Sequence, residues 1–530
     1  MPGHKIQCLY CFNTFNDEDV HFRMETVFNS EDDVELTDPQ TGKTYYSPAD
    51  VAKDPMLSGA DRTRLTAQLK LLDGFVKRED PKYEKFWERF GRTTEMPAAA
   101  RDGQIGVNPW LRRVYDPHNP DDQPFFQPNS EVISDSGLLY QITDIWGRET
   151  SRRVCPYCHN PLPGLYGKYP VKFISIIGIT GAGKTVYLSQ LVQYLEDNFA
   201  RCGITAQPTS TYAYRYRETN PVEMGKRLPA ATAKEMFLQP LCFDLSYKDE
   251  AGRQHYMTMV FYDIAGENCR MSKDAAEMDA NARWFGPFIE HSDGILLLVQ
   301  PDQFTSTPDP ENGPQAVLTV VHNLFESHAQ DLERIPVAVC ISKGDTLAPT
   351  ILSGPIPQIE YLKKSGVGYR PVFNADSYNT LYEPVYKFVD TQAVTLLNTL
   401  SVQYPIHDLF LVSAIGTKVT EHEDEDGKFF APATPPIPQR LIEPLLWMLT
   451  KFNFIGFTGF IREPNDWACP QCNRPLHIDQ KLCPDCKRDR NGRWVCPLCG
   501  TVNEAGATQC AHTEKGFLGM TKRCKGVPVR

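Results

Sequence analysis

Between residues 168 and 455, short apolar runs alternate with amphipathic stretches, the pattern of a sheet joined by helical crossovers. Strands are expected at 171–177, 240–247, 256–264, 294–300, 337–342 and 408–413. Helical spacing over 184–199 sets Leu188, Leu191, Val192, Leu195 and Phe199 on one face, and similar patterns cover 315–327, 384–400 and 441–452. The polar stretch 248–254 reads as a hairpin loop joining the second and third strands. Those two strands are therefore antiparallel within an otherwise parallel, helix-covered sheet. Elsewhere the periodicity fades. Residues 16–150 are polar and rich in Pro, Asp and Arg, with one short helix at 82–90, and read as an inserted α+β or irregular region.

Composition sharpens this picture at two points. A chain of 530 residues is too long for one core and suggests about three or four domains. A net charge of −11 argues against a surface devoted mainly to nucleic acid. No run of 18 apolar residues occurs and Met1–Tyr10 lacks an apolar signal segment, so a soluble cytoplasmic protein without a membrane partner is expected. Twelve of the 16 cysteines lie before His159 or after Ala468, ten of them in C-x-x-C pairs, which suits tetrahedral zinc better than disulfides. Cys202, Cys242, Cys269 and Cys340 are scattered and are expected to be buried thiols.

The first expected strand runs into Gly178-Ile179-Thr180-Gly181-Ala182-Gly183-Lys184-Thr185 and on into the first helix. This is a complete phosphate-binding loop, G-x-x-x-x-G-K-T, in strand–loop–helix context. Its glycines (with Ala182) let backbone N–H groups curl around phosphates at the positive end of the helix. Lys184 would bridge the β- and γ-phosphates, and Thr185 would hold Mg²⁺. Asp263-Ile-Ala-Gly266-Glu267 ends a later apolar strand. Asp263 can reach Mg²⁺ through water there, and the Gly266 N–H can meet the γ-phosphate. Ser342-Lys343-Gly344-Asp345 ends another strand. A carboxylate at Asp345 can accept from guanine N1–H and its exocyclic amine, a pair adenine lacks, a difference worth roughly 10⁴-fold. Lys343 would lay its stem over the base, and Ser413-Ala414 could offer a backbone N–H to the guanine carbonyl. The lookalike Thr37–Thr44 lacks the first glycine and a leading strand, and reads as a turn.

In this order the motifs resemble the translation-factor-like (Ras-like) GTPases over about 280 residues. Two departures stand out: Glu267 occupies the place of the usual water-orienting glutamine, and the switch threonine stays open among Thr209, Thr211 and Thr219. More narrowly, "RRVCPYCHNPLPG", "ISIIGITGAGKT" and "DIAGE" resemble the double-GTPase family of bacterial conflict systems. That resemblance implies partner GTPases or effectors. Glu267 in place of the water-orienting glutamine makes slow GTP hydrolysis the expectation, with Lys184 and Glu267 as the catalytic candidates.

The paired cysteines suggest three zinc sites. Cys8, Cys11, Cys155 and Cys158 combine two knuckles, residues 1–15 and 151–167, into one ribbon that clamps the 16–150 insert at its base. Cys469, Cys472, Cys483 and Cys486 form a second ribbon within 466–490. Cys496, Cys499 and Cys510 in residues 491–530 resemble a Ran-binding-protein type finger. Its fourth ligand is open between Cys524, favoured as a soft sulfur, and His512. From Cys469 onward there are eleven Lys/Arg and five Asp/Glu, a formal +6 that two zinc-thiolate sites cut by about four. This mildly basic tail leaves docking on protein or nucleic acid open. The leading expectation is a GTP-hydrolysing switch that couples nucleotide state to partner binding. A P-loop ATPase and a zinc-organised scaffold without turnover are the alternatives.

Overall fold

The computed structural model describes the chain except residues 1–4, 24–35, 39, 76–79, 89–113, 121, 135–136, 145–146, 231–238, 265–284, 305–312, 326–328, 362–370, 426, 459–466, 472–474, 477–479, 485, 516–520 and 529–530. At its centre is a sheet of seven strands: β1 Val171–Ile177, β2 Thr205–Pro208, β3 Leu241–Lys248, β4 Gln254–Asp263, β5 Gly294–Val299, β6 Val337–Ile341 and β7 His407–Leu411. Their spatial order is β2-β3-β4-β1-β5-β6-β7. Only β3 runs against the others, pairing antiparallel with β2 and β4. The remaining pairings, β4–β1–β5–β6–β7, are all parallel. The expected hairpin is present and is closed by Asp249, whose carboxylate accepts from the backbone N–H groups of Ala251 and Arg253, both at 2.9 Å. The four-residue edge strand β2 was not legible, because so short an alternation carries little signal.

Strand alternation divides the core by face. Ile174 and Ile176 join the apolar side of α1 (Lys184–Arg201), α2 (Thr211–Thr219) and the last helix, α7 (Glu443–Lys451). Phe173 and Ile177 face the other way, toward α3 (Pro314–Leu324) and the N-terminal knuckle residues Ile6, Leu9 and Phe12. The chain between the fourth and last helices departs from expectation. After α4 (Gly344–Ile351), α5 begins at Ala375 because Asn374 caps it, its side chain accepting from Ser377 N–H at 3.2 Å. Pro384, expected to start a helix, lies inside α5, and the backbone of Ala393 separates α5 (Ala375–Gln392) from α6 (Val394–Gln403).

The insert is more ordered than its composition promised. Helices Pro48–Lys53, Gly59–Phe75 and Pro81–Glu88 are present, the last on the expected segment. Strand His21–Arg23 pairs with both Val114–Tyr115 and Arg153–Val154, which ties the insert to its root. The phosphate-loop lookalike is a turn between the paired strands Leu36–Thr37 and Thr44–Tyr45.

Candidate nucleotide-binding site

The site lies where the parallel strands end, at the carboxyl edge of an α/β sheet. The loop between β1 and α1 needs its glycines. Gly178 has φ +149°, and a Cβ there would sit 2.4 Å from the Leu298 carbonyl oxygen. Gly183 is left-handed, with φ +81°. Lys184 is buried, and its ammonium donates to the carbonyls of Gly178 (2.7 Å) and Ile179 (3.1 Å). The positive charge is thus folded into the loop, where phosphate oxygens would find it. One turn of helix puts Thr185 Oγ1 3.2 Å from Asp263 Oδ2 at the end of β4. A hydroxyl and a carboxylate at this separation form the oxygen-rich corner that Mg²⁺ prefers. Gly266 and Glu267 lie outside the described residues.

The base end is joined to the phosphate end directly. Ser342 Oγ donates to the Ala182 carbonyl at 2.8 Å, which fixes the end of β6 to the phosphate loop. Lys343 follows with left-handed backbone (φ +51°), and its ammonium donates to Gln300 Oε1 at 2.5 Å. Gly344 cannot be larger, since a Cβ would come within 2.8 Å of Leu411 and 3.0 Å of the Val412 carbonyl oxygen. That close approach sets half-buried Asp345 against Ser413, whose hydroxyl donates to Asp345 Oδ1 at 2.6 Å. Ser413 Oγ in turn accepts from Gly416 N–H at 2.9 Å, so the carboxylate is held by a hydroxyl that is itself fixed. Ser342, Lys343, Asp345, Ser413 and the phosphate loop are therefore gathered at one end of the sheet, with Ala414 next to Ser413. Gln300, the last residue of an expected strand, was not singled out from sequence, because a lone glutamine at a strand end carries no motif.

The helix beyond β2 is bonded to α1, with Arg217 donating to Glu196 at 2.6 Å. Burial and the nearby Asp263 charge push Tyr212 up to about 12 and raise Tyr216 further. Tyr216 is buried, and its ring lies 5.9 Å from that of Tyr212. Of the three candidate switch threonines, Thr211 and Thr219 bound this helix and Thr209 precedes its N-cap, Ser210.

The cysteines also converge. In Cys8, Cys11, Cys155 and Cys158, and again in Cys496, Cys499, Cys510 and Cys524, all four sulfurs lie within 4.8 Å of one another. Nearest pairs are 3.7 Å (Cys8–Cys158, Cys11–Cys155, Cys496–Cys524) and 3.5 Å (Cys499–Cys510). Disulfide sulfurs would be about 2.05 Å apart. Sulfurs on a tetrahedral zinc with bonds of about 2.3 Å would be about 3.8 Å apart, which the donor sets fit. Cys524, not His512, completes the last set of four. Cys469, Cys483 and Cys486 form the third cluster, while their expected partner Cys472 lies outside the described residues. His21 and His159 bond to each other at 3.1 Å, and His159 reaches Asp80 at 2.6 Å, so both serve the insert's root. Cys202, Cys242 and Cys340 are buried thiols, as expected.

With this geometry in place, likeness to known proteins can be stated. Residues 172–361 match the family model Double-GTPase 2. Over those residues the chain resembles that family: a mostly parallel α/β sheet carries a phosphate-loop motif, and cysteine clusters suited to zinc ribbons flank it. A Mycolicibacterium smegmatis protein provisionally named as an ESX-1 scaffolding and assembly protein, SaeC, is 28% identical over 210 residues. That match covers 37% of this chain and 51% of the relative, so the chain spans about half the length of that curated protein. Solved structures that align include Era from Aquifex aeolicus bound to GDP and AlF4⁻ (14% identity, 56% of this chain and 60% of that one, TM-score 0.24). Elongation factor SelB from Methanococcus maripaludis with a GTP analogue aligns at 9% identity over 68% of this chain and 51% of its own (TM-score 0.24). Among the described residues, no helix is long and apolar enough to cross a membrane.

Proposed function

We propose that the chain is a GTP-binding and GTP-hydrolysing switch that couples nucleotide state to partner binding through its insert and zinc modules. The observation that carries this reading is the hydroxyl-anchored carboxylate Asp345, tied through Gly344 and Ser342 to the phosphate loop. A rigid acceptor at that place favours a base that presents two adjacent donors, which guanine has and adenine lacks. Lys184 would take the β- and γ-phosphates, with Gly178, Gly181, Ala182 and Gly183 supplying the cradle. Thr185 and Asp263 would hold Mg²⁺, which screens the charge that builds up as the phosphate bond breaks. Gly266 and Glu267 keep their expected parts, a γ-phosphate contact and a water-orienting group. With a glutamate at that place, turnover without a partner should be slow.

The cysteine sets are read as structural zinc sites: Cys8, Cys11, Cys155 and Cys158; Cys469, Cys472, Cys483 and Cys486; Cys496, Cys499, Cys510 and Cys524. Partners are expected to be proteins, either another GTPase or an effector, in a conflict-type or secretion-type assembly in the cytoplasm. The name of the mycobacterial relative favours one competing reading, an assembly scaffold that binds nucleotide without turning it over.

Binding and single-turnover hydrolysis of GTP and ATP with Mg²⁺ separate these. Wild type should bind and cleave GTP, with ATP a poor competitor. Lys184→Ala should lose tight binding, and Asp345→Ala should lose the preference for guanine. Equal binding of ATP and GTP, unaltered in Asp345→Ala, would sink the guanine argument. Tight GTP binding without cleavage, alone or with partner, would leave the scaffold.

A further inference from the structure

The connection between α2 and β3 does not simply return to the sheet. Its described part, residues 220–230, reaches the hairpin Val419–Asp424 and Gly427–Pro432, which rises just after Ser413 and Gly416. Gly225 N–H donates to the Pro432 carbonyl at 2.9 Å and Leu228 N–H to the Phe430 carbonyl at 3.0 Å, so two backbone bonds tie the connection to the hairpin. Between those two bonds, one guanidinium nitrogen of Arg227 donates to both carboxylate oxygens of Asp424, at 2.9 and 3.1 Å. The same guanidinium lies 4.9 Å from the centre of the Phe429 ring.

The elements at both ends of this connection lead to the candidate nucleotide site. At one end, α2 is bonded to α1, the helix that opens with Lys184 and Thr185: Arg217 donates to Glu196 at 2.6 Å. At the other, the hairpin's root is part of the base site. Gly416 N–H donates to Ser413 Oγ, and the returning strand is bonded at Ser413–Gln439 and Ile415–Ile437. The root is closely packed and needs glycine there, because a Cβ at Gly416 would meet the Ile437 carbonyl oxygen at 1.9 Å. The latch itself is weaker than its root: Arg227 and Asp424 are 48% and 44% exposed, so water and salt compete for the pair.

We infer that the Arg227–Asp424 contact is a latch that ties the α2 connection to the base-side hairpin and thereby slows nucleotide release. The inference rests on the guanine-site reading above and adds to it a positioning residue, Arg227, that touches neither phosphate nor base. Its arrangement suits a switch: an exposed charge pair holds the connection, and a partner that takes either charge would free the nucleotide.

The test uses the full chain, loaded with a fluorescent GDP analogue and chased with excess GDP. Arg227→Ala and Asp424→Arg should each speed release about three- to tenfold, the combined worth of an exposed ion pair and a cation–π contact. The exchanged pair, Arg227→Asp with Asp424→Arg, should bring the rate back toward wild type, which a merely structural loss at either position would not do. High salt should accelerate wild type toward the Arg227→Ala rate and leave Arg227→Ala nearly unchanged. Equal release from all variants, or no recovery in the exchanged pair, would overturn the latch and leave the guanine site standing. Failure of wild type to bind either guanine nucleotide would take down both.

Discussion

At Asp345 the chemistry depends on a neighbour that comes 68 residues later. Ser413 Oγ, 2.6 Å away, holds one carboxylate oxygen and leaves the other directed by geometry instead of by free rotation. Hydrogen bonds to a charged group contribute about 1.5–3 kcal/mol. Ser413→Ala should therefore weaken GDP binding by about tenfold or more while ATP affinity stays put, as a nucleotide titration would register. A second residue-scale consequence comes from His407, which is fully buried at the start of β7. Its Nδ1–H donates to the Tyr404 carbonyl at 2.6 Å, and burial pushes its pKa down to about 4. The unfolded chain takes up that proton near pH 6.5, before the folded chain does. This contribution to stability is therefore intact above about pH 6.5 and lost progressively down to about pH 4, by about 3 kcal/mol in all. Melting temperature measured across that window should fall less steeply for His407→Gln than for wild type. Parallel curves would mean that the ring titrates normally.

Elements were legible in proportion to their length and the regularity of their pattern. The strand, glycine loop and helix from Val171 to Arg201 satisfy local rules at every position, so this unit could be read directly. The start of α5 could not, because Pro384 is locally a better helix opener than Ala375 and only the Asn374 cap decides otherwise. The zinc knuckles are a different case, since each pair of cysteines is half a site. Cys8 and Cys11 meet Cys155 and Cys158 across a long insert, and that pairing gives the knuckle its fold. Native mass spectrometry should find three zinc ions per chain, and two in Cys8→Ser. Retention of all three would mean that the halves are not one site.

On the scale of the molecule, the N-terminal knuckle is part of the α/β core and not an appendage. Phe12 packs edge-on against Phe173 and Phe288, with ring centres 5.8 and 5.3 Å away, and Tyr262 donates its hydroxyl to the Leu9 carbonyl at 2.7 Å. Tyr262 is on the same strand as Asp263, so the four-cysteine knuckle abuts the strand that carries Asp263. The Arg227–Asp424 contact ties the connection after α2 to the hairpin that follows Ser413, at the base end of the candidate site.

The sequence by itself determined the phosphate loop, the direction of the hairpin, the order of the motifs and the number of cysteine sets. Each of these is a local pattern whose chemistry demands particular residues at fixed spacing. It could not decide which cysteine completes the last cluster, what holds Asp345, or where the long connection after α2 goes. Those depend on pairs such as Cys496 with Cys524, Asp345 with Ser413 and Arg227 with Asp424, whose members are far apart in the chain. Such contacts form only after the sheet has fixed the strand ends, because closing a loop carries an entropic cost that local sequence cannot repay. Tertiary packing therefore chose the partners, and local chemistry had already chosen the parts.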